Sequence, residues 1–163
     1  LCCKDYTHVL VLYILLISSI LIHYGIWNAS NPRIIKCKIK SDSLKTEWTS
    51  KKIILISDTH FGQVRRGGFA KKITKLISNE NPDIIFHAGD IIDGPSFPYK
   101  KSFDHLESLL PPLGFIYVEG NHERYSLEYD VFRSMLTKNI KDVTDNIISI
   151  NNTQILGLSF KEK

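Results

Sequence analysis

IILISDTH (residues 53–60), DIIFHAGDIID (residues 83–93) and GFIYVEGNHE (residues 114–123) share one build. Each contains an apolar run, turns through small or polar residues and ends on Asp or Asn beside His or a second Asp. A short apolar run bounded by turn signals reads as a buried strand. The polar residues then stand at the carboxyl ends of strands, the edge of an open α/β sheet where ligands bind. Carboxylate oxygens and imidazole nitrogens meeting there suit divalent metal ions, and two such ions suit hydrolysis of phosphate esters.

Around these runs the pattern alternates. Helices are expected over residues 69–79 (Phe69, Ile73, Leu76 and Ile77 on one face), 103–110 (Phe103, Leu106, Leu109 and Leu110, stopped by Pro111-Pro112) and 127–137 (Leu127, Val131, Met135 and Leu136). Strands are expected at residues 53–57, 83–87 and 115–118. Two more, 147–150 and 154–158, would be joined by the turn Asn151-Asn152-Thr153. This β-α-β-α-β-α order argues for an α/β fold with a parallel sheet portion and crossover helices. Asp58 and Asp90 are 32 positions apart, and Asp90 and Asn121 are 31 apart. One βαβ unit needs about 30 residues, so each polar cluster lies one unit after the last.

The residue types suit the chemistry. Asp58 and His60 can bend from one turn toward one ion. Asp90 follows Gly89, and its two oxygens can bridge metals about 3.5–4 Å apart. Asn121 follows Gly120, and its amide oxygen can ligate without adding charge. Asp93 suits accepting the second ring N–H of a metal-bound His, which sets that ring's tautomer. His122 suits protonating the leaving oxygen or stabilising transition-state charge, with Glu123 orienting it. Singly, each Asp reads equally well as a helix cap or turn residue; the set is what points to metal. His87, inside a strand, reads as a hydrogen-bonded buried histidine. Arg65 and Arg66 read either as solvated loop charge or as contacts to a phosphate.

Asp58-Thr59-His60, Gly89-Asp90-Ile91-Ile92-Asp93 and Gly120-Asn121-His122-Glu123 together resemble the D-x-H, G-D-x-x-D and G-N-H-E motifs of the calcineurin-like metallophosphoesterase superfamily, in its membrane-linked bacterial branch. The resemblance implies a four-layer sandwich of two mixed β-sheets flanked by helices, with residues 52–163 supplying its N-terminal part. It implies Asp58 and His60 on a first metal, Asp90 bridging, Asn121 on a second metal and His122 catalytic near the leaving group. The two divalent ions would be drawn from manganese, iron, zinc, nickel or cobalt and would activate water. Substrates would be phosphodiesters, phosphomonoesters or lipid-linked pyrophosphates; some relatives act on UDP-diacylglucosamine. The family's later histidines, an isolated His and a G-H-x-H element, have no counterpart after His122. With Leu at residue 1, this makes a partial sequence the expectation, and one inactive by itself. The alternative is a non-catalytic interaction module at the membrane that keeps the fold. The intact set Asp58, His60, Asp90, Asn121 and His122 argues against it.

Upstream lies VLVLYILLISSILIHYGIW (residues 9–27), without Asp, Glu, Lys or Arg. As a helix it would span roughly 28 Å, close to the hydrocarbon thickness of a bilayer. His23, Tyr24 and Trp27 fall at one end, where amphipathic rings favour the interface. Residues 1–30 are therefore expected to carry a single-pass anchor, and residues 31–51 a linker with an edge strand around residues 34–39. Cleavage near Ser30, giving a secreted enzyme, is the competing reading. Arg33, Lys36, Lys38, Lys40 and Lys45 follow the segment and only Lys4 precedes it, which places the downstream domain in the cytoplasm by the positive-inside rule. The 163 residues are 43% hydrophobic and 23% charged, as in a folded domain. A net charge of +4, concentrated in the linker, does not argue for a nucleic-acid partner. Cys2, Cys3 and Cys37 lack metal-finger spacing and form no disulfide framework; Cys2 and Cys3, just before the apolar segment, are either plain thiols or acylation sites.

Overall fold

The computed structural model of the chain describes residues 3–94, 100–126, 129–136 and 139–160. It falls into two units, Leu1–Cys37 and Lys38–Lys163. The first is dominated by α1 (Cys3–Ala29). Within it, Tyr6–Ala29 is long and apolar enough to cross a membrane, with a mean hydropathy of 2.3. The helix is apolar on all sides, as a bilayer requires, and its Leu and Ile side chains stand exposed. The one imidazole near its end is satisfied locally: His23 Nδ1 lies 2.7 Å from the Ser19 carbonyl. Asn31 donates from its side chain to the Trp27 carbonyl at 2.5 Å, and Pro32 follows. Cys2 lies outside the described residues, as does the side chain of Cys3. The edge strand expected around residues 34–39 does not form; Ile35 is 86% and Ile39 81% exposed, and no strand among the described residues pairs with this segment.

The second unit is built on a four-stranded parallel sheet in the order β1 (Ile53–Ile56), β2 (Ile84–Ala88), β3 (Phe115–Val118), β4 (Ile140–Asp142). Crossovers are supplied by α2 (Gly67–Glu80), α3 (Lys100–Glu107), and α4 (Asn121–Tyr125) with α5 (Tyr129–Met135). Helix α2 ends where Asn81 takes a left-handed conformation (φ 48°) before Pro82, which removes the donor a further turn would need. The third expected helix appears as α5; Leu127 and Thr137, its expected ends, lie outside the described residues. Strand β4 was not foreseen. It is three residues long and, among the described residues, pairs with β3 alone. The chain then forms an antiparallel pair, β5 (Ile147–Ile150) and β6 (Thr153–Leu156). Asn151 and Asn152 turn between them with φ of 49° and 55°, the backbone a two-residue hairpin demands.

Alternation along the strands divides the core. Ile85, Phe115, Tyr117 and Ile140 face the helices and pack with Ile73, Ile77, Phe103, Leu106 and Phe132. Ile84, Ile116 and Val143 face the other way and meet Ile148 of the hairpin and Trp48. The Trp48 indole Nε1 donates to Thr153 Oγ1 at 2.7 Å, so its polar edge is paired as well as its ring buried. Strand β1 departs from expectation. As the edge strand it buries Ile54 and Ile56 in part but leaves Ile53 and Leu55 exposed, because the hairpin covers only the middle of the sheet.

This division is testable. Ile85→Ala, at a fully buried position, is expected to cost about 2–5 kcal/mol in urea unfolding. Leu55→Ala, 71% exposed on the edge strand, is expected to change stability by less than about 0.5 kcal/mol. Equal losses would contradict the packing described.

Candidate metal centre

Because β1, β2 and β3 are adjacent and parallel, their carboxyl ends deliver three loops to one edge. The first is residues 57–62, the second 89–94, the third 119–121. Beyond the strands the first two loops continue to pair through backbone hydrogen bonds. The N–H of Asp58 donates to Gly89 O (3.1 Å), that of His60 to Asp90 O (3.0 Å) and that of Phe61 to Ile91 O (2.7 Å); Asp93 N–H returns a bond to Phe61 O (2.9 Å). The second and third loops touch backbone to backbone. A Cβ on Gly89, whose φ is +87°, would lie 2.5 Å from the Gly120 nitrogen, so only glycine fits.

Glu123 joins those two loops. Its side chain is fully buried. Its carboxylate accepts the backbone N–H groups of Asp90 (2.9 Å), Ile91 (2.5 Å), Ile92 (3.3 Å) and Gly120 (2.8 Å). The sequence suggested that Glu123 orients His122; the structure instead shows it stitching the loops. The spacing held the signal, since Glu123 is the third residue of α4 and reaches back to its N-cap. Burial pushes the Glu123 carboxyl up, and the four N–H bonds pull it partly back.

Donor atoms of His60, Asp90 and His122 all lie within 4.8 Å of one another, close enough to hold a metal ion. Asp58 borders this group, with Oδ1 3.6 Å from His60 Nε2. Asp93 lies between the two imidazoles: Oδ1 is 3.2 Å from His122 Nδ1 and Oδ2 is 3.8 Å from His60 Nδ1. The rings meet edge to face, with centroids 4.5 Å apart. His122, expected at the leaving group, thus stands among the donors, and its backbone N–H donates to Asp90 Oδ1 at 3.0 Å. Asn121 opens α4 and lines a cavity of about 120 Å³ with Arg124, Tyr125 and Phe160. A hydrogen bond from Ser57 and the neighbouring His60 hold the Asp58 carboxyl below the usual range. The donor set fits a borderline divalent cation such as manganese, iron or zinc. His60 Nδ1 is buried and hydrogen-bonded to no described residue, an orphaned nitrogen that a bound cation would satisfy.

His87 is the hydrogen-bonded buried histidine that the sequence suggests, and it and Glu119 find partners that the sequence does not name. His87 Nε2 lies 3.2 Å from Thr59 Oγ1, which is 3.3 Å from the Ile91 carbonyl. Buried Glu119 takes Arg124 Nε at 2.6 Å and the Tyr129 hydroxyl. Arg65, left open between two readings, donates from Nη1 to the Asp58 carbonyl at 3.0 Å and stacks over Phe69.

A parallel sheet whose carboxyl edge gathers carboxylates and imidazoles defines the class of α/β metal-site proteins. The sequence pattern of the calcineurin-like phosphoesterases matches residues 51–159, two-thirds of the chain, and the chain belongs to that family. It is 25% identical over 123 residues to a transmembrane protein with metallophosphoesterase domain of Danio rerio (75% of this chain, 28% of that protein). Against an uncharacterised metallophosphoesterase of Aquifex aeolicus the identity is 36% over 97 residues (57% and 35%). Against one of Campylobacter jejuni it is 27% over 150 residues (90% and 39%). The chain thus spans between a quarter and two-fifths of the length of these relatives.

Burial pushes the His87 imidazole down to about 3 from its ordinary 6.5. The folded chain therefore refuses a proton that the unfolded chain accepts, and His87 lowers stability as pH falls from about 6.5 toward 3. Between pH 6 and 5 metal-free protein is expected to lose about 1 kcal/mol per pH unit from this group. Urea melts of His87→Gln over the same range are expected to lack that slope; an unchanged slope would remove His87 as its source.

Proposed function

We propose that this chain carries the N-terminal part of a two-metal phosphoesterase, with Asp58 and His60 on one ion, Asn121 on the other and Asp90 shared. The observation that carries the reading is the meeting of His60, Asp90 and His122 donor atoms at one strand edge, within a domain of this family. When bound, divalent ions would polarise the phosphoryl oxygens and lower the pKa of an attacking water. The chain's own residues do the rest. Asp93, 3.2 Å from Nδ1 of His122, holds that ring in orientation and leaves its Nε2 for other work. His122, with Nδ1 held by Asp93, hands a proton from Nε2 to the leaving oxygen. Asn121 adds a neutral donor, which limits repulsion toward an anionic substrate.

The helix α1 serves in this reading as a single-pass anchor with the domain in the cytoplasm, supported by its length, its hydropathy and the positive charges that follow it. A domain held at the bilayer can reach a lipid-linked phosphate ester as well as a soluble diester or monoester.

In the full-length protein assayed on bis-p-nitrophenyl phosphate with manganese, Asp90→Ala is expected to lower kcat/KM at least 100-fold, or about 2.7 kcal/mol of transition-state stabilisation. Equal rates would end the catalytic reading. Orientation has a separate test at Cys37, whose thiol is exposed. With Cys2 and Cys3 changed to Ser, a maleimide that cannot cross the bilayer is expected to label Cys37 only after cell lysis. Labelling of intact cells would place the domain outside.

A further inference from the structure

We propose that His87 is a positioning residue for the Asp58-Thr59-His60 turn, acting through Thr59 to aim Asp58 and His60 at one point. The inference rests on the metal-centre reading above and adds a residue that the reading does not use. His87 is 1% exposed in the interior of the sheet and has no path to substrate. Its one polar reach among the described residues is Nε2, 3.2 Å from Thr59 Oγ1, and that oxygen lies 3.3 Å from the Ile91 carbonyl. A carbonyl only accepts, and a hydroxyl has one proton. The assignment that satisfies both contacts has Thr59 donating to Ile91 O and accepting from His87 Nε2–H.

The chain of bonds ties three places together: the interior of β2, the turn after β1 and the turn after β2. Thr59 is the buried member of its turn, 4% exposed, and it lies between Asp58 (φ 55°) and His60 (φ 45°), both in the left-handed region. Such residues hold their conformation only where the surroundings over-determine it. Glu123 stitches the second and third loops but does not bond the first. The first loop is held by its backbone pairing, by Arg65 at the Asp58 carbonyl, and by the His87–Thr59 link.

The test is manganese affinity of the full-length protein by titration calorimetry, with melting curves of the metal-free variants as the folding control. His87→Leu is expected to raise the Kd for manganese at least about tenfold. Thr59→Val, nearly isosteric, is expected to do the same without depending on how Leu packs at residue 87. The double variant should lose no more than either single one, and His87→Gln, which keeps an N–H donor, should restore most of the loss. Wild-type affinity in folded His87→Leu or Thr59→Val would overturn the proposal. So would equal losses in His87→Leu and His87→Gln, which would mean packing alone, or losses that add in the double variant. Wild-type protein that binds no manganese would overturn the metal-centre reading itself, and this inference with it; that outcome is distinct from an unaffected variant beside a manganese-binding wild type.

Discussion

The site's geometry depends on one buried carboxylate. Adjacent parallel strands stand about 4.8 Å apart, so the ends of β1 and β3 are roughly 10 Å apart, too far for residues at bare strand ends to share an ion. The loops must be drawn inward. Glu123 does this for the second and third by collecting four backbone N–H groups from both. Burying a lone carboxylate costs several kcal/mol, and charge-assisted hydrogen bonds to every side of it offset that cost. The bonds are short enough only because Gly89 and Gly120 let the two backbones touch.

Holding and donating are divided between different atoms. Glu123, Thr59, His87, Arg65 and the loop backbones make the ties. Asp58, His60, Asp90, Asp93 and His122 face one another at the edge. Asp90 belongs to both groups through one oxygen only, since Oδ1 accepts the His122 N–H. Three carboxylates beside two imidazoles repel one another when no cation is near. The contacts within the cluster, Asp93 to His122 and the His122 N–H to Asp90, are few, so much of its geometry comes from bonds outside it.

The same division decides what could be read in the sequence. Strands β1, β2 and β3 were legible because each is an apolar run ending in turn residues, and the spacing of Asp58, Asp90 and Asn121 placed them on neighbouring strands. Strand β4 was not, because Ile-Lys-Asp is too short to show a period and exists by pairing with β3. The exposure of Ile53 and Leu55 was hidden for a related reason: an apolar run shows strand character but not whether a neighbour covers both its faces. Histidines and aspartates advertise a site by their chemistry. Thr59 does not, and Glu123 shows its place in the site but not its task, since a carboxylate serving backbone N–H groups has the same letter as one orienting a histidine.

Backbone strain follows from that arrangement. Asp58, His60 and Asp90 all sit at positive φ, where a residue with a side chain costs about 1–3 kcal/mol. Glycine would remove the strain, as it does at Gly89. It would also remove the donor, which is the reason these turns exist. After β1 and β2 a tight turn presents these side chains at the sheet edge, and the left-handed conformation is what makes the turn tight. The cost is therefore tied to the presence of donors, and it must be met where the donors are. That accounts for the density of backbone bonds between the first two loops and for the buried His87–Thr59 link beneath them. A looser, unstrained turn would be cheaper to fold and would point the same residues into water.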